Sequence, residues 1–194
     1  WAGMLVFGKE NWMRHGECFS IFSSLLGRFA PTEIRVTDTL VCHKCTAECT
    51  DIEDTCIGCL DCFTRAQSHQ KEFNIRPFAI GLLNSSDAST STMFFVLIML
   101  ASVTFDGFTS TPAWSDIAIR LFSVITSPSI IGSLGLGAFV LLFIGIYLGF
   151  SGLISIATGH RMSAWNISRV FVYSLVPIAL AYHLAHYFSF LLIQ

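Results

Sequence analysis

The sequence predicts an all-α integral membrane protein, a polytopic helix bundle that carries one extramembrane cysteine-rich loop module. Three observations lead there. From Leu121 to Gly159, thirty-nine residues pass without one Asp, Glu, Lys, Arg or His. From Val170 to Gln194, the only ionisable side chains are His183, His186 and tyrosines. Between Thr32 and Thr92, by contrast, lie six of the seven cysteines and much of the charge. A helix rises about 1.5 Å per residue, so crossing a hydrocarbon core of about 30 Å takes about 20 apolar residues. Both apolar runs are long enough. Phe139 to Phe150 (FVLLFIGIYLGF) is apolar on every side, whereas a helix facing water keeps a polar stripe. Composition agrees, with 53% hydrophobic and 12% charged residues, against about a quarter charged in globular chains. Mean hydropathy is +0.65.

Taken in order, three regions follow. Residues 1–31 form an N-terminal membrane or interfacial helical segment, in which WAGMLVF (1–7) reads as the last turns of an earlier span in a longer polypeptide. Gly16 to Ala30 has an apolar helical face but carries Glu17 and Arg28, and Pro31 ends it. It is too short to cross by itself and suits the interface. Residues 32–92 form the cysteine-rich module, closed by a polar linker, NSSDASTST (84–92). Residues 93–194 hold three or four spans. One begins at Met93 and meets Asp106-Gly107 near its far end, one occupies Leu134 to Ala157, and one starts near Val170 and bends near Pro177. The sequence leaves open whether Asp116 to Thr126, with Arg120, crosses, re-enters or lies flat. Gly132, Gly135 and Gly137 suit close helix packing. Trp12, Trp114, Trp165 and Tyr173 fall near span ends, as an aromatic belt does.

The implied surroundings are the lipid of the cell (inner) membrane and other membrane-protein subunits. A net charge of −2 argues against a nucleic-acid partner. If Asp116 to Thr126 does not cross, Arg161 and Arg169 share a side with Arg28, Arg35, Lys44, Arg65, Lys71 and Arg76, which the positive-inside bias makes cytoplasmic.

Chemistry concentrates in Cys42-x2-Cys45-x3-Cys49-x6-Cys56-x2-Cys59-x2-Cys62. Three readings compete. Cys42, Cys45, Cys59 and Cys62 make two C-x2-C knuckles suited to structural zinc, which would supply the core that a small loop lacks. Cys56-Ile57-Gly58-Cys59-Leu60-Asp61-Cys62 resembles the C-x2-C-x2-C run of ferredoxins, with Cys49 or Cys42 as fourth ligand to an iron–sulfur cluster. In an oxidising compartment the six would pair as disulfides. Cys18 reads as a small buried hydrophobe.

A second candidate site lies in the bundle. His183 and His186, three apart, share one helix face. Polar side chains at that depth turn into the bundle, to bond a neighbouring helix or to hold a metal. Glu17, with His15 nearby, and Asp106 are the candidate carboxylate ligands, in a set that would suit zinc or iron.

Three stretches, GECFSIFSSLLGRFAP (16–31), TFDGF (104–108) and YSLVPIALAYHLAHYFSFLLIQ (173–194), are similar to bacterial polytopic membrane proteins known as fenitrothion hydrolase or its membrane subunit. The resemblance implies several membrane helices and, for some members, organophosphate ester hydrolysis within a multi-subunit assembly. Onto this sequence it carries Glu17, Asp106 and His186 as functional positions. The cysteine module is then an insertion or the mark of a separate branch. Two functions remain: a multi-pass membrane subunit of a larger redox or metalloenzyme complex with a metal-binding module, or a membrane-embedded metal-dependent ester hydrolase using metal-activated water.

Overall fold

A three-stranded antiparallel sheet stands inside the region expected to be an all-helical chain's loop, and it corrects that expectation. In the computed structural model, which describes residues 2–42, 56–83 and 88–193, the chain is mostly helical and divides into two units, 1–87 and 88–194.

In the first unit, α1 (Ala2–Phe7) and α2 (Lys9–His15) form a hairpin about Gly8, whose φ of 81° favours glycine. Phe7 stacks on Trp12 at 6.0 Å between ring centroids. α3 (Cys18–Gly27) buries Ile21 and Leu25, one turn apart. Its ten residues span about 15 Å, half a bilayer core.

The sheet order is β2-β1-β3, with β1 Thr32–Val36 (TEIRV), β2 Cys56–Ile57 and β3 Lys71–Ile75 (KEFNI). In β1, Ile34 and Val36 alternate with Glu33 and Arg35, so apolar and charged side chains leave on opposite faces. Pairing sets Ile34 opposite Phe73, and Val36 opposite Lys71 on one side and Cys56 on the other. Under the apolar face, Val36, Cys56, Cys62 and Ala66 are buried, with Val41, Cys59 and Phe63 packed against them. Among the described residues the α-helical pieces here are α4 (Thr39–Cys42) and α5 (Leu60–Arg65).

On the charged face, Glu33 is buried, its side chain 3% exposed, and pairs with both Arg35 and Arg76. Burial alone would push its carboxyl up, but the hydrogen bonds and charges of the two guanidinium groups outweigh that and hold it below the usual carboxylate range. Arg76 also donates Nε–H to the Ala30 carbonyl (3.1 Å) and Nη2–H to the Gly27 carbonyl (3.3 Å). It therefore adds to the closing of α3, whose Gly27 carbonyl also accepts the Ala30 N–H (3.2 Å).

The second unit is built of α6 (Thr90–Thr109), α7 (Pro112–Phe122), α8 (Pro128–Ala157) and α9 (Ala164–Ile193). α6, α8 and α9 are long and apolar enough to cross a membrane, and each packs on the other two. α6 begins inside the stretch read as a polar linker, because Ser89 caps it by accepting the Thr92 N–H (3.1 Å). α7, capped by Thr111 with Pro112 in its first turn, runs eleven residues, about 16 Å, so it does not cross a bilayer core of about 30 Å. The segment left open by the sequence is thus a short helix. Phe105, Phe108, Trp114 and Phe139 pack ring to ring where α6, α7 and α8 meet. Of the three glycines expected at close packing, Gly135 lies against Trp114 where a Cβ would collide, while Gly132 and Gly137 face open space.

The core of this unit lies between α6 (Met93, Val96, Leu97, Leu100, Val103) and α9 (Ile167, Val172, Val176, Ala179). α8 is different. Its buried residues are Ile131, Ser151 and Ser155. Tyr147 donates to the Ser168 carbonyl of α9 (2.6 Å) and Ser155 to the Met162 carbonyl (2.7 Å). The inward side of α8 is thus apolar near its start, at Ile131 and Phe139, and polar and small toward its end, at Ser151 and Ser155, and its outward surface is hydrocarbon: Leu141 is 71% exposed, Phe150 63% and Leu142 60%.

Candidate metal centre

The Sγ atoms of Cys56, Cys59 and Cys62 all lie within 4.8 Å of one another. Local structure explains the convergence. β2 places Cys56 opposite Val36 and under the sheet. Gly58, at φ 68°, then turns the chain, its N–H donating to the Ile34 carbonyl (2.9 Å). Extended Cys59 is the N-cap of α5, and one helical turn carries Cys62 back to the same spot, the Cys59 carbonyl accepting the Phe63 N–H (3.0 Å). Cys56 and Cys62 are each 1% exposed, and Cys59 is partly exposed. Val36, Val41, Phe63 and Ala66 form the apolar surround, and the Lys71 ammonium sits 4.9 Å from the Phe63 ring centroid.

Three sulfurs gathered in an apolar pocket match a thiophilic metal ion. Zn–S bonds of about 2.3 Å in a tetrahedron set neighbouring sulfurs about 3.8 Å apart, so small side-chain rotations would bring this trio onto one ion. A cubane cluster asks for more room, since each thiolate binds a different iron. Among the described residues no disulfide links any cysteines, and no histidine or carboxylate joins the sulfur group.

The other expected site residues are placed as follows. Cys45 and Cys49 lie outside the described residues, and Cys42 is described in its backbone alone, at the end of α4. Glu17 caps α3, accepting from the N–H groups of Phe19 and Ser20; hydrogen bonding from Ser20, its side chain first and then its N–H, holds the carboxyl below the usual range. Asp106 is exposed on α6. His183 lies with Nδ1 2.8 Å from the Ala179 carbonyl of its own helix, and His186 is exposed, edge-on to Tyr187 at 5.3 Å. Among the described residues Asp106, His183 and His186 do not form a ligand group; the three thiols do.

Sequence reasoning singled out the cysteines but passed over their setting, namely Gly58 as the turn and Val36 and Phe63 as the walls. The signal was present in the glycine within Cys-Ile-Gly-Cys and in the alternation of TEIRV. The residues thus define a chain with three helices of bilayer length and a thiol centre able to hold a metal. No family model, curated protein or solved structure matches it.

Proposed function

We propose that this chain is a multi-pass inner-membrane subunit of a larger redox or metalloenzyme complex, with one zinc ion held by Cys56, Cys59 and Cys62 as a structural element of its extramembrane module. The observation that carries the reading is the convergence of three sulfurs to within 4.8 Å. The spacing favours a single ion over a cluster, and zinc suits a site whose role is to hold a small module together. Another thiol of the module would complete the coordination. The outward surface of α8 supports a bilayer around the second unit, because a helix exposing Leu141, Leu142 and Phe150 is solvated by acyl chains at no hydrophobic cost. With α7 too short to cross, residues 158–163 fall on the side where α6 begins. Arg169 Nε–H donates to the Ala88 carbonyl (2.6 Å), which agrees with that arrangement. Arg161 and Arg169 then join the basic residues of the module on a cytoplasmic side, where thiols stay reduced.

Elemental analysis with an absorption spectrum of the detergent-purified chain tests the metal. The expected result is about one colourless zinc per chain; a visible charge-transfer band with iron would replace zinc by iron–sulfur, and absence of both metals would remove the site. Membrane residence has its own test. Leu142→Arg, at the exposed middle of α8, is expected to raise the apparent insertion free energy by about 3 kcal/mol. An arginine that left insertion unchanged while improving recovery in plain buffer would argue against spanning.

A further inference from the structure

Resting on the zinc reading of the same thiols, we propose that Cys59 and Cys62 form a hydroperoxide-sensitive dithiol whose oxidation to a disulfide releases the metal, Cys56 remaining a thiol. Access sets the order of events. Cys56 and Cys62 are each 1% exposed, while Cys59 opens partly to solvent at the cap of α5. A small oxidant therefore reaches Cys59 first. The shared helix sets the partner. All three sulfurs lie within 4.8 Å of one another, but Cys59 is the N-cap and Cys62 the third residue of the same helix, so one helical turn alone connects them. Cys56 sits on a different element, tied to β1 by its pairing with Val36, beyond the Gly58 turn.

The chemistry balances with one equivalent of hydrogen peroxide. The Cys59 thiolate attacks the O–O bond, giving a sulfenic acid and, with one proton from solvent, water. The Cys62 sulfur then attacks the sulfenic sulfur, forming the S–S bond and expelling the hydroxyl, which leaves as a second water after taking another proton. Two thiolates lose two electrons in total, and peroxide oxygen gains them. With Cys59 and Cys62 joined, the ion loses two of its four thiolates, and Cys56 with the one completing thiol is too small a donor set to hold it at a closed tetrahedral site. A reductant of the dithiol class reverses the step. The module would in this way report hydroperoxide to whatever the complex does.

The test uses the zinc-loaded full chain in detergent, one equivalent of hydrogen peroxide, a chromogenic zinc chelator and differential alkylation with peptide mapping. The expected result is release of the bound zinc together with a Cys59–Cys62 link and an alkylatable Cys56, reversed by dithiothreitol and zinc. Cys59→Ser should lose the peroxide-triggered link, and Cys56→Ser should still form it. A disulfide that includes Cys56, or zinc released with all thiols intact, overturns the proposal. The metal-free chain, mapped in parallel, separates the two readings. A Cys59–Cys62 link in a chain that binds no zinc sinks the metal and leaves the dithiol, whereas zinc binding with no link at stoichiometric peroxide sinks the dithiol and leaves the metal.

Discussion

Replacing Cys62 by serine is expected to take the zinc content of the purified chain from about one ion to near none, and to loosen the sheet with it. The substitution is nearly isosteric, so little of the effect comes from a cavity. A neutral hydroxyl is a poor ligand where a thiolate is needed, and at 1% exposure it would also be a polar group in apolar surroundings. Partners that merely orient a ligand cost 10–100-fold in metal affinity, so loss of a ligand itself should exceed that. The structural consequence follows from how little else holds this region. Among the described residues four form the buried cluster, two of them Cys56 and Cys62, and β2 is two residues long. Structural zinc supplies roughly 10–16 kcal/mol in small modules, which is the scale such a core lacks. Amide exchange should therefore accelerate in β1 and β2 together with the loss of zinc, and not in α6 or α9. Cys18, expected to be buried, is exposed at the first residue of α3, so Cys18→Ser is the control and should keep the metal. Full zinc occupancy in the Cys62 variant would show that the trio does not bind it.

The parts of this fold legible in the sequence are those that hydropathy decides by length. α8 and most of α9 stand where the two long runs without Asp, Glu, Lys or Arg stood, and α6 where an apolar stretch began near Met93, whereas the start of α7 at Thr111-Pro112, a cap followed by a first-turn proline, went unread. The sheet was not legible. TEIRV and KEFNI are five residues each, and their alternation acquires meaning only when Ile34 meets Phe73 across 38 intervening residues. The metal centre was half legible. Spacing named the six cysteines, yet which sulfurs converge depends on the left-handed backbone at Gly58 and on Cys59 serving as a helix cap. Spacing treats Cys42-x2-Cys45 and Cys59-x2-Cys62 alike and cannot see that turn. Ser89 illustrates the opposite hazard: in a run of serines and threonines one residue is a cap, and composition alone reads the whole run as linker.

Arg76→Ala is expected to destabilise the first unit by about 3 kcal/mol, the lower part of the range for removing one partner of a buried ion pair, because Arg35 still faces Glu33. Arg76 is 14% exposed at its side chain and Glu33 3%, so the carboxylate left behind has little water to turn to. Arg76 also caps the Gly27 and Ala30 carbonyls, and those hydrogen bonds go too. The pH dependence has a definite sign. Glu33 in the folded chain titrates below its ordinary value, so the stability it contributes is complete above the unfolded carboxyl pKa of about 4.3 and is lost as pH falls through the folded value. Without Arg76 the upward push of burial is opposed by Arg35 alone, the folded value rises, and the acid loss of order begins at higher pH. Exchange protection of β1 and β3 amides, followed from neutral to acid pH in wild type and variant, reads both effects. A double-mutant cycle then separates the pair from the caps. Glu33→Gln removes the charge that Arg76→Ala strands, so the double variant should lose less than the sum of the singles by 1 kcal/mol or more, on the order of the coupling between contacting charges. Strict additivity would mean that Arg76 acts through the helix-end carbonyls alone and that Glu33 is satisfied by Arg35.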